Sequence, residues 1–136
     1  MSTVDDPTIL VNNPSDAIAA AEKLLDAVSA ERDLHYGVWA TAAVMPLAAL
    51  LYAASPARNN RGVSWVVQAT TAIEHDANLA APSWRSAIAE LGDQQLMRNT
   101  LRRVLGWDTR QRDSIVITMR DALMPWMPTQ RRVSGE

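Results

Sequence analysis

The chain has no cysteine and no phenylalanine, and it carries five glycines in 136 residues. The absence of cysteine excludes disulfides, thiolate metal sites and a cysteine nucleophile, and leaves the redox compartment unspecified. Without phenylalanine and with little glycine, the 48% apolar content falls on Ala, Leu, Val, Ile, Met and five tryptophans. Such a composition favours helices over alternating strands. Lys23 is the one lysine and stands inside a helical pattern; no G-x-x-x-x-G-K-[ST] loop, H-E-x-x-H or G-x-S-x-G motif occurs. Nucleotide hydrolysis by this chain alone is therefore not expected, nor is any other enzymatic activity or a cofactor. The N-terminus is acidic and lacks the apolar run of a secretory signal.

One uncharged stretch, 34–57, contains no Asp, Glu, Lys or Arg. A bilayer-crossing helix needs about 20 apolar residues, so the length alone permits a span. Its apolar residues are mostly alanine, Pro46 sits in its middle and its flanks carry no strong positive bias, which favours a buried core helix. No membrane contact is expected of the domain.

With 136 residues the chain suits one domain with a sizeable core. The expected architecture is all-α, a compact bundle of about six helices, with a core over 13–126 and loose ends at 1–12 and 128–136. The short apolar run Ile9 to Val11 is the one place where a strand is conceivable. Asn13-Pro14 opens a first helix, with Asp16 at the positive end of its dipole, running from about Ser15 to Glu31. Its apolar stripe is Ala17, Ile18, Ala21, Leu24, Leu25 and Val28, while Glu22, Lys23 and Asp26 face solvent. Asp33 is placed to cap a second helix reaching Ala54, apolar nearly all round and hence central, with Trp39, Ala43, Leu47, Leu50 and Leu51 as contacts and a bend at Pro46.

Residues 55–62 read as a loop, and Val63, Val66, Val67 and Thr70 as a short third helix. After a polar connection from Glu74 to Ala81, Pro82-Ser83 starts a fourth helix through Trp84, Ala87, Ile88 and Leu91, closed by Gly92. Asp93 is placed to cap a fifth, with Met97, Thr100, Leu101 and Val104 inward and Gln95, Arg98, Asn99 and Arg102 outward; Gly106 ends it. Asp108 with Gln111 forms the capping pattern of a sixth, whose inner face holds Ile115, Thr118, Met119, Ala122, Leu123 and Trp126. Pro125 stops it near Leu123 or Met124.

The polar features leave one candidate site. Glu74-His75-Asp76 cannot converge on a metal as three consecutive residues, and His35 has no carboxylate partner at helical spacing, so both histidines are expected to be structural or exposed. The tryptophans Trp39, Trp65, Trp84, Trp107 and Trp126 are base-stacking candidates, but alanine-rich packing needs bulky fillers and the core role is favoured. Charge is unevenly spread: residues 1–76 hold nine acids against four bases, and 77–136 six acids against nine bases. The candidate substrate- or DNA-binding residues are Arg98, Arg102, Arg103, Arg110 and Arg112, whose planar guanidinium groups suit carboxylate or phosphate. Ordinary solvated charge is the alternative. Two helices joined at Gly106 also meet a loose criterion for a helix-turn-helix, although Asp108 and Asp113 would repel phosphate there.

Beyond these features the chain resembles a known family. Trp39, Ala43, Leu47, Leu51, Tyr52, Ala53 and Ala54 match the spacing of a W-x3-A-x3-L-x3-L-H-A-A helix, with Tyr52 where histidine is usual. Asp108-Thr109-Arg110-Gln111-Arg112-Asp113-Ser114-Ile115 is similar to a D-x-R-T-R-x-S-V stretch, and Arg120-Asp121-Ala122-Leu123 to R-R-A-L. Together with Asn13-Pro14 and its alanine-rich helix, these resemble the all-alpha domain of type IV secretion coupling proteins, the conjugative DNA-transfer ATPases, of the actinobacterial kind. The similarity spans about residues 9–126. The family's Walker motifs and membrane anchor are not in this stretch, which fits an excised domain or a free-standing relative. The resemblance implies a substrate-recognition domain, monomeric in isolation, cytoplasmic, and at the cytoplasmic face of the inner membrane as part of a parent coupling protein. Its implied partners are a relaxase, an accessory or effector protein, or DNA. A stand-alone helix-turn-helix DNA binder is the second expectation.

Overall fold

A computed structural model describes residues 6–30, 34–72 and 81–127. Asp33, the His35 side chain, Glu74-His75-Asp76 and the tail from 128 lie outside the described residues. Among the described residues, six α-helices and one short 3-10 turn make up the fold: α1 (Pro14–Ser29), α2 (Leu34–Ala53), α3 (Val63–Thr70), α4 (Trp84–Leu91), α5 (Gln95–Leu105), α6 (Thr109–Ala122) and the turn Met124–Trp126. Among the described residues there is no strand. Ile9 to Val11 lies in a turn, with Ile9 and Leu10 exposed and Val11 buried. No helix among the described residues is long and apolar enough to cross a membrane.

The helix starts follow from short side chains. Asn13 accepts the Asp16 N–H at 2.8 Å, and Asp16 in turn accepts the Asn12 N–H at 3.1 Å, so two otherwise unpaired donors are satisfied at the start of α1. Asp108 accepts the Gln111 N–H at 3.0 Å and starts α6. The start of α5 differs from expectation: its cap residue is Gln94, with no side-chain cap, and the Asp93 carboxylate instead approaches Arg58 at 3.8 Å.

Central placement belongs to α2. Every residue from Pro46 to Ser55 is buried, and α2 packs against α1, α3, α4, α5 and α6. Pro46 sits within the helix without ending it, and its missing N–H leaves the Ala42 carbonyl without a helical donor. The most extensive helix contact joins α1 to α2. Its core positions on α1 are Ala17, Ala21 and Leu25, and the alanines let the backbones approach closely. Trp65 and Trp84 are buried, whereas Trp39, Trp107 and Trp126 are half-buried and pack against the core from its margin.

The segment before α1 is fastened rather than loose from Asp6 onward. Thr8 and Val11 are each 1% exposed. The Asp6 carboxylate accepts the Thr8 N–H at 2.8 Å and, across the chain, the Val63 N–H at 3.1 Å, so it caps α3. Gly62 makes this possible. Its φ of +81° favours glycine, and a Cβ there would lie 2.7 Å from Asp6 Oδ2. Gly62→Ala is therefore expected to destabilise the protein by about 1–3 kcal/mol through left-handed strain and a displaced cap. A thermal melt of the variant against Asp6→Ala checks the cause: combining the two changes should cost less than their sum, since both disrupt the same latch.

Candidate functional site

The face that could carry function lies between α4 and α5. On α4, Ser83 accepts the Ser86 N–H at 3.0 Å to start the helix, and Trp84, Ala87 and Leu91 turn inward. At about 100° per residue, Arg85, Ile88 and Ala89 then fall on the outer side. On α5, Met97, Thr100, Leu101 and Val104 turn inward, and Arg98, Arg102 and Leu105 form the flank toward α4. Arg85, Ile88, Ala89, Arg98, Arg102 and Leu105 thus line one groove of about 700 Å³. Three guanidinium groups rim an apolar floor, and no carboxylate lines it among the described residues.

Of the five arginines expected to form a site, the structure brings two together and separates the rest. Arg98 lines the groove, although its Nη1 donates to the Gly92 carbonyl at 2.9 Å and so also serves the C-terminus of α4. Its Nε is buried without an acceptor among the described residues. Arg102 is exposed in the groove, and neither it nor Arg85 has an ion-pair or hydrogen-bond partner among the described residues. Arg103, one position on, lies about 100° further around α5, on the side of the exposed Leu96. Arg110 shares a shallow depression with Asp108 and Asp113, where its charge is opposed. Arg112 is half-buried, with Nη1 donating to the Leu105 carbonyl at 3.4 Å at the end of α5. Of the candidate binding arginines, Arg103, Arg110 and Arg112 do not line the groove with Arg98 and Arg102.

Sequence reasoning missed Arg85, and the signal was available. Arg85, Ile88 and Ala89 stand at the spacing of one helix face, but their arginine is remote in sequence from the cluster that begins at Arg98. Also missed was Arg58, in the loop after α2. Its Nε and Nη2 donate to the Glu90 carbonyl at 3.1 and 2.8 Å, and its guanidinium lies 5.6 Å from the centre of the Tyr52 ring. Two charge-assisted bonds tie this loop to the end of α4, and the cation–π contact ties it back to Tyr52 at the end of α2. The Asp93 carboxylate adds little, being 83% exposed. Arg58→Ala is expected to lower stability by about 1.5–3 kcal/mol in urea unfolding, with Arg58→Lys recovering less than half because an ammonium cannot reproduce the paired bonds.

The helix-turn-helix expectation fares poorly in this geometry. Although α5 and α6 are joined by a short turn, each rests on α2 and they share no substantial packing with each other. Among the described residues no cluster of His, Asp and Glu is placed to hold a metal ion. No family model, curated protein or solved structure matches the chain.

Proposed function

We propose that the chain is a substrate-recognition domain of the type IV secretion coupling kind, an interaction module that selects the molecule to be transferred and carries out no reaction itself. Support comes from the resemblance over about residues 9–126 and from an architecture of the implied class, all-helical with six helices around a buried α2. The observation that carries the reading is the groove between α4 and α5. There, Arg85 and Arg102 project without internal partners among the described residues, beside an apolar floor, which is the makeup of a docking surface. The cytoplasmic setting and the partners, a relaxase, an accessory or effector protein, or DNA, belong to the same proposal.

Binding of the purified chain to the proteins and origin DNA of the transfer system encoded beside it tests the reading. Association with at least one of them, in the micromolar range common for transient recognition, about −8 kcal/mol, is the expected outcome. If none of the relaxase, accessory proteins, effectors or origin DNA associates, the proposal is wrong.

A further inference from the structure

We infer that the α4–α5 groove takes a short acidic segment of a partner protein, one that presents carboxylates about one helical turn apart beside apolar side chains. The inference rests on the recognition reading and narrows its partner from protein or DNA to an acidic, apolar peptide. Three features select this occupant.

The first is charge. Arg85, Arg98 and Arg102 line the groove with no acid among its described lining residues, so the local field favours an anion. Arg98 and Arg102 stand one turn apart on α5, a spacing that carboxylates at the same interval can meet together, and a guanidinium fork binds a carboxylate through two parallel bonds.

The second feature is the floor. Ile88, Ala89 and Leu105 are apolar and accessible between the arginines, and they can receive leucine- or methionine-sized side chains. A phosphate backbone has nothing to place on them.

The third is the reach of the positive charge. The chain as a whole is net −2, with a pI near 5.6, and Asp108, two residues after the groove-lining Gly106, shares a separate depression with Arg110 and Asp113. A long polyanion would meet these acids as well as the arginines, whereas nucleic-acid surfaces are basic over a whole face. A short peptide meets the three arginines alone. The groove, about 700 Å³, is also of a size to hold a few side chains.

A random peptide library panned in parallel on the intact chain and on an Arg85→Glu, Arg102→Glu double variant tests this. Both side chains are exposed, so the variant should unfold at the wild-type temperature, which a thermal melt checks. The wild type should enrich peptides with Asp or Glu one turn apart beside Leu, Ile or Met. A fluorescein-labelled member of that set should bind the double variant at least about tenfold more weakly, and the wild type more weakly as salt is raised. Enrichment without acids, or equal affinity for both proteins, overturns the inference. A short DNA duplex that binds through Arg85 and Arg102 in place of any peptide also overturns it, while leaving the recognition reading intact. Failure of every candidate partner in the association experiment instead removes the recognition reading itself.

Discussion

Trp84→Ala is expected to lower the unfolding free energy by about 3–5 kcal/mol, a large share of the stability of a domain this size. Trp84 is fully buried in the first turn of α4, and its Nε1 donates to the Thr70 carbonyl at 3.1 Å, near the end of α3. Its main-chain N–H donates to the Ala72 carbonyl at 3.3 Å as well. One residue therefore fills the space between two short helices and satisfies a carbonyl at the end of one of them. Neither helix spans more than eight residues, so neither holds its shape without such packing. Trp84→Phe should recover most of the apolar burial but leave the Thr70 carbonyl unpaired, at about 1–3 kcal/mol below wild type. Urea unfolding followed by circular dichroism separates the three proteins. A loss under about 1 kcal/mol for the alanine variant would place Trp84 at the surface. Because Arg85 is the next residue, loosening α4 should also weaken anything bound in the groove.

Leu47→Ala is expected to cost about 2–5 kcal/mol, whereas Val38→Ala in the same helix should stay within about 0.5. Leu47 is fully buried where α2 meets its neighbours, and Val38 is 63% exposed. Ala43, Ala48 and Ala49 around it are fully buried too, so few flexible side chains stand ready to collapse into the space that leucine leaves. Equal effects of the two substitutions would show that α2 is not the helix around which the others pack.

Much of this core could be read from spacing alone. The inner face of α5, Met97, Thr100, Leu101 and Val104, is buried as its helical period requires, and Asp108 caps α6 as its short acceptor side chain suggests. The stripe of α1 is buried at Ala17, Ala21 and Leu25, with Ile18, Leu24 and Val28 at its edges. Period and capping are local properties, carried by residues three or four apart. What escaped were contacts between distant residues, such as Asp6 with Val63 and Arg58 with Glu90, which no local pattern encodes. Asp93 failed as a cap because it stands one residue before Gln94, the position from which α5 starts.

The arginine site was legible only in part, because proximity in sequence is not proximity on a surface. Arg102 and Arg103 are adjacent in the chain yet point to different flanks of α5. Arg98 and Arg112 each donate to a carbonyl at a helix end, a role set by where the preceding helix stops. Arg85 joins the groove because α4 packs beside α5, which follows from the burial of Trp84 and Leu91 rather than from any arginine pattern.

Amide chemical-shift mapping of the isotope-labelled chain, titrated with the transfer-system partner it associates with, is the most direct measurement of the central claim. Shifts should concentrate on Arg85, Ile88, Ala89, Arg98, Arg102 and Leu105. Shifts centred instead on the exposed acidic face of α1, around Glu22 and Asp26, would contradict a docking role for the arginine groove.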